Sequence, residues 1–521
     1  MVRLGWYSTP KGGAVRDLRW RVFAVVLAPL AGALTFAPVG SASADINPKV
    51  DHVLLLSLDG FHDADLTNYV AAHPSSALAA VVERGRRYSN ASAQAPSDSF
   101  PGTLAMTTGG SPSSTGVYYD VSWDNDLSPA GSDCSTRGAL VPFNQTINVN
   151  ANAGDSVADI NPAKLPRDPD NGCSVVYPHQ FLKVNTIYEV AHAAGLRTAV
   201  ADKHPSYEIL SGPSGTGVDD FYGPEFNAAK ADITKIIAND EFKVDAVLNE
   251  MDGLSHDGSA VVGVPAIYGM NFQAPNIGQK FSGYVDGAGT TPQSIATLGT
   301  LAGTAPGLAQ ALDYVDGAIG RMLSRLEANG LTDETMIILT AKHANSPVDR
   351  STLRWVDPSA FAALVNSVEP GLTAQVTADT MALIWLKDRG RAADAAAVLE
   401  ANAGTVGAGT ITSGAAVASL FAGQLGGNPG RIPDIVVQPV PGVVYAAVSS
   451  KLVDHGSGSA EDTHVPLVVV EPGRKGGRTL SCPVSLRQVA PTVLRALGLK
   501  ESLLDAVRLE GTQRLTNGDE C

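Results

Sequence analysis

Acids, hydroxyls and imidazoles recur along this chain, each close to an apolar, strand-like run. Val53-Leu-Leu-Leu-Ser-Leu-Asp59-Gly60 comes first, then Ala95-Pro-Ser-Asp-Ser99-Phe-Pro101-Gly102. Asp252-Gly-Leu-Ser-His256, Thr340-Ala-Lys342-His343, Asp454-His455-Gly456 and Thr463-His464-Val-Pro466 follow. Carboxylates, imidazoles and one hydroxyl are the set that two divalent metals and a nucleophile need for phosphoryl chemistry. Asp59, with Gly60 behind it for a tight turn, reads as a metal ligand or as a turn residue ending a strand. Ser99 stands just before Pro101, which suits the first helical position, so Ser99 or Phe100 is expected to cap a helix. At that spot backbone N–H groups and the helix dipole stabilise a phosphate, and a metal-bound serine can lose its proton and attack phosphorus. Ser97 is the competing nucleophile, farther from Pro101. Asp252 and His256 suit zinc or a similar ion, or an ordinary loop. Asp454, His455 and His464 place three potential ligands in one loop.

Elements must carry these residues to one place. Val53–Leu58 is a short continuous apolar run, as in a strand buried on both faces. Ile187–Ala194 reads as a helix ending at Gly195, followed by a strand at Arg197–Ala201. Ala228–Ala238 reads as helix and Asp245–Met251 as strand. Leu308, Leu312, Val315, Ile319, Met322 and Leu326 keep the three-to-four spacing of an amphipathic helix, stopped by Gly330 and followed by the strand Thr335–Ala341. Val465–Val470 reads as strand and Leu486–Leu497 as helix. Such alternation predicts a three-layer α/β fold with a mostly parallel sheet, whose ligands gather at the carboxyl ends of the strands. Asp59, Asp252 and His343 each fall just beyond a predicted strand. Residues 120–180, rich in Asn, Asp, Pro and Gly, read as a long loop. Residues 344–450, with helical pieces at Asp394–Ala401 and Gly414–Ala422 and a strand at Met381–Leu386, read as an inserted subdomain.

Taken together, Leu58-Asp59-Gly60, Ser99-Phe-Pro101, Thr108-Gly-Gly-Ser-Pro112 and Ser114-Thr-Gly116-Val-Tyr118 resemble the type I phosphodiesterase/nucleotide pyrophosphatase family of the alkaline phosphatase superfamily. The resemblance spans roughly 50–343 and 450–500. It implies an alkaline-phosphatase-like three-layer core, two divalent metals, most often zinc, and a phospho-serine intermediate. Small-molecule phosphodiesters or pyrophosphates of nucleotide type are the implied substrates. Phosphomonoesterase or phosphonate hydrolase activity is the first alternative, and a non-catalytic exported binding protein on this fold the second. Ser99 matches the nucleophile; Asp252, His256 and His464 match the ligands of one metal, and Asp59 a ligand of the other. That second metal calls for an Asp-His pair after the strand Thr335–Ala341, where this chain has Lys342-His343. Lysine cannot serve as that ligand. The later Asp454-His455-Gly456, followed by His464 and a Pro466-Leu-Val-Val run, resembles the layout of the phosphopentomutase and cofactor-independent phosphoglycerate mutase relatives. That resemblance assigns Asp454 and His455 to the second metal, with His343 as an alternate ligand and Lys342 as a possible phosphate contact. Gly102 stands where many members have a phosphate-contacting Asn, and Asn271 is a candidate replacement. Tyr118, Tyr119 and Asp120 could edge the substrate, although core packing explains the tyrosines equally well.

Composition frames this reading. Of 521 residues, 44% are hydrophobic and 17% charged, which is ordinary for a folded protein. Arg16, Arg19 and Arg21, the apolar Val22–Val39 and Ser41-Ala-Ser-Ala44 read as a secretory signal peptide, with an uncleaved anchor as the alternative. Export places residues 45–521 outside the cytoplasm as the catalytic domain, with no stable membrane span. Without the five basic residues and one acid of residues 1–44, 32 Lys+Arg face 51 Asp+Glu, a formal charge of −19. Such acidity speaks against binding a nucleic-acid polymer. Four cysteines allow three pairings, of which the local ones, Cys134–Cys173 and Cys482–Cys521, are favoured.

Overall fold

Among the described residues of the computed structural model, nine strands form one large sheet. The structure describes residues 50–516 apart from 231, 283–306, 422–428, 449 and 475. The chain divides into Met1–Asn47 and Pro48–Cys521. The signal-peptide reading of residues 1–44 and the partner Cys521 expected for Cys482 lie outside the described residues.

Across the sheet the order is Asp220–Tyr222, Ala199–Ala201, Ile267–Phe272, His52–Leu58, Thr335–Thr340, Leu467–Val470, Arg86–Ser92 and His464–Val465; Arg478–Ser485 also pairs with Arg86–Ser92. The first five run parallel. Leu467–Val470 turns the direction, running antiparallel to both of its neighbours. His52–Leu58 sits between Ile267–Phe272 and Thr335–Thr340, with Leu55 in register with Gly269 and Ile338. All six residues of each flanking strand are buried, which is why Thr335–Thr340 reads as a nearly continuous apolar run rather than an alternating one.

Helices gather in two groups. Ala77–Arg84, Ile233–Met251, Ala274–Ser282 and Gly307–Ala328 pack together, while Ser99–Thr108, Ile187–Ala193 and Val489–Ala496 form another set. With the sheet, these make an α/β fold with one extended apolar core.

Two segments stand outside that pattern. Residues 120–180 carry a small hairpin, Val121–Asp124 with Ala139–Pro142, and the Cys134–Cys173 disulfide. Farther on, Thr373–Ala378, Ala382–Leu386, Ile435–Pro439 and Ala408–Ser413 form an antiparallel sheet with its own apolar cluster, covered by Ser359–Val368 and Ala392–Ala401. Among the described residues no helix is long and apolar enough to cross a membrane.

One element departs from expectation. Asp245–Met251 is not a strand but the last turns of the helix Ile233–Met251. Ile236, Asp240, Val244, Val247 and Met251 line its buried face, a helical spacing that the apolar ending concealed. The strand that serves the site is Ile267–Phe272, which lies sixteen residues farther along.

Candidate active site

Loops at the carboxyl ends of the parallel strands converge on Asp59. Gly60 bridges to Ala344, Ser346 to Asp454, and Ser97 to Gly456, so four separated segments are laced together through their backbones. Ser99 is the first residue of the helix Ser99–Thr108; its N-cap is Asp98, whose carboxylate accepts the Phe100 N–H at 3.2 Å. The expected cap at Ser99 or Phe100 is thus displaced by one or two residues, which frees the serine hydroxyl from capping. Gly102, one turn on, lies where an added Cβ would stand 2.1 Å from the Lys342 carbonyl oxygen. Only glycine lets the helix come that close to the Lys342–His343 segment.

The resulting constellation is dense. Lys203 Nζ stands 2.9 Å from Asp59 Oδ2 and donates to Ser99 Oγ at 3.0 Å. Lys342 Nζ is 3.2 Å from the same carboxylate oxygen and 3.0 Å from the Tyr207 hydroxyl. His343 Nε2 lies 2.9 Å from Asp59 Oδ1 and 3.2 Å from Ser99 Oγ, and its Nδ1 is 3.1 Å from the Ala344 carbonyl. Asn271 Nδ2 donates to Asp59 at 3.3 Å. The His455 ring stacks on His343 with centroids 3.8 Å apart. Beyond it, fully buried Asp454 is paired with Lys280 at 2.7 Å and with Lys451. A cavity of 310 Å³ opens on Ser99, Lys203, Lys280 and His455, walled by Asp98, Asp120 and Asp379 on one side.

Electrostatics follow from burial and these neighbours. Burial would raise the Asp59 carboxyl, but the Lys203 and Lys342 ammonium groups and His343 outweigh it and hold it well below the usual range. Burial lowers His343 to about 4 despite Asp59, with both lysines adding to the effect, so its imidazole is neutral at ordinary pH. In the tautomer whose Nδ1–H donates to Ala344, the Nε2 lone pair faces Ser99 Oγ at 3.2 Å and can accept its proton, and Asp59 Oδ1 at 2.9 Å is placed to pair with the imidazolium that forms. Burial also depresses Lys203 and His455. In the same cavity lining, burial and repulsion with Asp98 and Asp379 push Asp120 well up.

Asp59, Ser99, Lys342, His343, Asn271, Asp454 and His455 are therefore brought together. Three expected ligands are not. Asp252 is the C-cap of the helix Ile233–Met251, paired with Arg325 and bonded to Asn329 at 2.9 Å. His256 pairs with Asp220 at 2.5 Å and stacks on Tyr222 at a surface cleft. His464 lies on an edge strand with Nε2 at 2.9 Å from the Ser89 carbonyl. The helix explains the first two placements: a helix end, not a strand end, carries Asp252. Tyr118 packs edge-on against Phe421 in an apolar cluster and is core, not substrate edge.

Lys203, Lys280 and Lys451 escaped the sequence reading. Asp202-Lys203-His204 follows Ala199–Ala201 directly, so the rule that singled out Asp59 pointed here as well. Lys280 lies in the helix Ala274–Ser282 after the unrecognised strand, and Lys451 only three residues before Asp454.

Residues 53–458 match the family described as type I phosphodiesterase / nucleotide pyrophosphatase. The chain belongs to this family. Among solved structures, murine ectonucleotide pyrophosphatase/phosphodiesterase 5, as an inactive variant in complex with AMP, superposes with a TM-score of 0.56 at 15% identity, covering 87% of this chain and 96% of that one. The alkaline phosphatase PafA gives a TM-score of 0.57 at 13% identity, covering 87% and 96%. No curated protein matches the chain by sequence. At these identities the superpositions speak for the alkaline-phosphatase-like fold, as the sequence led one to expect.

Membership of the phosphodiesterase family points to a hydrolase and, in general, to divalent metals. The side chains of this member do not fit a metal pair. Among the described residues no three His, Cys, Asp or Glu side chains are grouped to hold an ion. Ammonium groups occupy the approaches to both buried carboxylates; of the other polar neighbours, His343 and His455 are ligand types, while Asn271, Asn276 and Asn345 are neutral amides.

Proposed function

We propose that this chain is an exported hydrolase that cleaves phosphodiester or pyrophosphate bonds of small, nucleotide-type molecules through a phospho-serine. The observation that carries the reading is Ser99 Oγ, held at 3.0 Å by Lys203 Nζ and at 3.2 Å by His343 Nε2 at the mouth of the cavity. The neutral imidazole takes the hydroxyl proton as Ser99 Oγ bonds to phosphorus. The bond from phosphorus to the leaving oxygen breaks, and that oxygen takes up a proton from solvent, to which the attacking water of the next step returns one. Water then attacks the phospho-serine, releasing phosphate or a phosphomonoester and restoring the hydroxyl. Lys203 and the helix N-terminus offset charge on the equatorial oxygens. No step passes through zinc, for which the donor set is unsuited.

AMP in the murine relative supports a nucleotide-type substrate, and the Cys134–Cys173 disulfide supports an oxidising compartment. A monoesterase or phosphonate hydrolase would use the same serine. The second reading, a binding protein that does not turn over its ligand, is favoured by Lys342 in the place of an expected aspartate.

Hydrolysis of bis-p-nitrophenyl phosphate and p-nitrophenyl phosphate by wild type and Ser99→Ala decides among these. The expected result is diester turnover that falls roughly a thousandfold or more in the variant. Equal rates in variant and wild type would remove Ser99 as nucleophile. A strong monoester preference selects the monoesterase, and phosphate-ester binding without turnover selects the binding protein.

A further inference from the structure

The charges around the two buried carboxylates follow one rule. Asp59 carries two ammonium groups, Lys203 at 2.9 Å and Lys342 at 3.2 Å. Asp454 also carries two, Lys280 at 2.7 Å and Lys451 in direct contact. Both carboxylates are fully buried, and a stacked imidazole pair, His343 and His455, lies between them. At Asp59, one carboxylate with two ammonium ions sums to a single positive charge, as does one carboxylate with one divalent cation; at Asp454, Lys451 is shared with Asp379 at 2.7 Å, so there two lysines face two carboxylates. We propose that two lysine pairs, Lys203–Lys342 and Lys280–Lys451, replace two divalent metal ions, so that this site holds phosphate oxygens with organic cations alone.

Sterics and Coulomb's law support the exchange. A zinc-like ion binds a carboxylate oxygen at about 2.0–2.2 Å. At Asp59 Oδ2 that shell is already bordered by Nζ atoms at 2.9 and 3.2 Å, so an ion bound there would meet two positive charges across a buried, low-dielectric gap. The four lysines cannot simply relax into solvent: Lys342 is fully buried, and the other side chains are 8%, 16% and 23% exposed. Without compensating ions, two buried carboxylates would be costly, which gives each lysine pair a structural reason as well. Nearby amides bond to one another instead of offering a ligand cage, since Asn345 Nδ2 donates to Asn276 Oδ1 at 2.9 Å and to Gln279 Oε1. Lys203 and Lys280 line the cavity beside Ser99, where phosphate oxygens would arrive.

The identity of the bound anion as a phosphate ester rests on the function proposed above, but the metal prediction does not. Full-length protein purified without chelator should contain far less than one zinc, manganese or iron per chain by elemental analysis. Inorganic phosphate should bind with the same calorimetric Kd before and after EDTA dialysis. Lys342→Asp restores a carboxylate beside Asp59 and His343 and should tighten zinc binding by at least about a hundredfold over wild type. Lys342→Met should weaken phosphate binding without gaining zinc, which separates a lost cation from a new ligand. If either variant fails to fold, wild-type metal content and the EDTA comparison still decide. A near-stoichiometric metal whose removal abolishes phosphate binding would overturn the proposal. Absence of turnover in metal-free, phosphate-binding protein would instead sink the hydrolase reading and leave the lysine substitution standing.

Discussion

Asp98 does two jobs with opposite electrostatic demands. As the N-cap of the Ser99 helix its carboxylate accepts a backbone N–H, which favours the charged form. Burial dominates, however, and with Asp379 nearby lifts it from 3.8 to about 6, against the pull of Lys203. The folded protein therefore holds more protons than the unfolded chain between those values, and stability falls as pH rises through that window. Asp98→Asn keeps a capping oxygen and removes the ionisation. Relative to wild type it should gain on the order of 2 kcal/mol on going from pH 4 to pH 8, read from urea denaturation at both. An unchanged difference at the two pH values would mean that the carboxyl is not raised. Ser99 itself was recognisable from Pro101 and the expected helix start. Its partner Lys203 also stands just beyond a strand, Ala199–Ala201, but a lysine there carries no metal-ligand signature and so does not stand out.

At the scale of elements, one close approach sets the site. The helix Ser99–Thr108 meets the segment after Thr335–Thr340 at Gly102, whose position leaves no room for a side chain against the Lys342 carbonyl. Gly102→Ala must push backbone against backbone, because the obstructing atom is not a flexible side-chain tip. A loss of about 1–3 kcal/mol in unfolding free energy is expected, together with slower turnover under the proposed mechanism as the 3.2 Å contact of Ser99 to His343 opens. Full stability in the variant would show that the two elements can separate freely. The apolar strands at Val53–Leu58 and Thr335–Ala341 were readable because burial on both faces removes polar residues from the sequence. Ile267–Phe272 was missed: Gly269 and Asn271 interrupt its apolar run, and Asn271 is there to reach Asp59.

For the molecule as a whole, the segment 120–180 is tied by one covalent link. Cys134 and Cys173 are separated by 39 positions, so breaking the bond restores substantial freedom to the unfolded chain. Replacing both with Ser should lower unfolding free energy by about 3–4 kcal/mol, visible as an earlier denaturation midpoint, and dithiothreitol should do the same to wild type. No shift on reduction would assign the stability of this region to packing alone. Between the segment and the small antiparallel sheet, Arg431 lies over the Phe181 ring at 3.3 Å and pairs with buried Asp124 at 2.8 Å. That tie joins residues three hundred positions apart and left no trace in local pattern.

Local chemistry determined much by itself: continuous apolar runs specify buried parallel strands, and the acids just beyond them mark the end of the sheet where the candidate site gathers. The same logic singled out Asp59 and His343, the helix start at Pro101 singled out Ser99, and the family resemblance made Lys342 stand out as foreign to a metal ligand set. Only the tertiary structure decided which charges share a space. Asp252, His256 and His464 have the right types at plausible spacing, yet each is satisfied elsewhere by Arg325, Asp220 or the Ser89 carbonyl. Lys203, Lys280 and Lys451 reach the buried carboxylates from three separate segments. Spacing along a chain constrains neighbours within a turn or two, whereas the sign of a buried site is a sum over all the segments that converge on it.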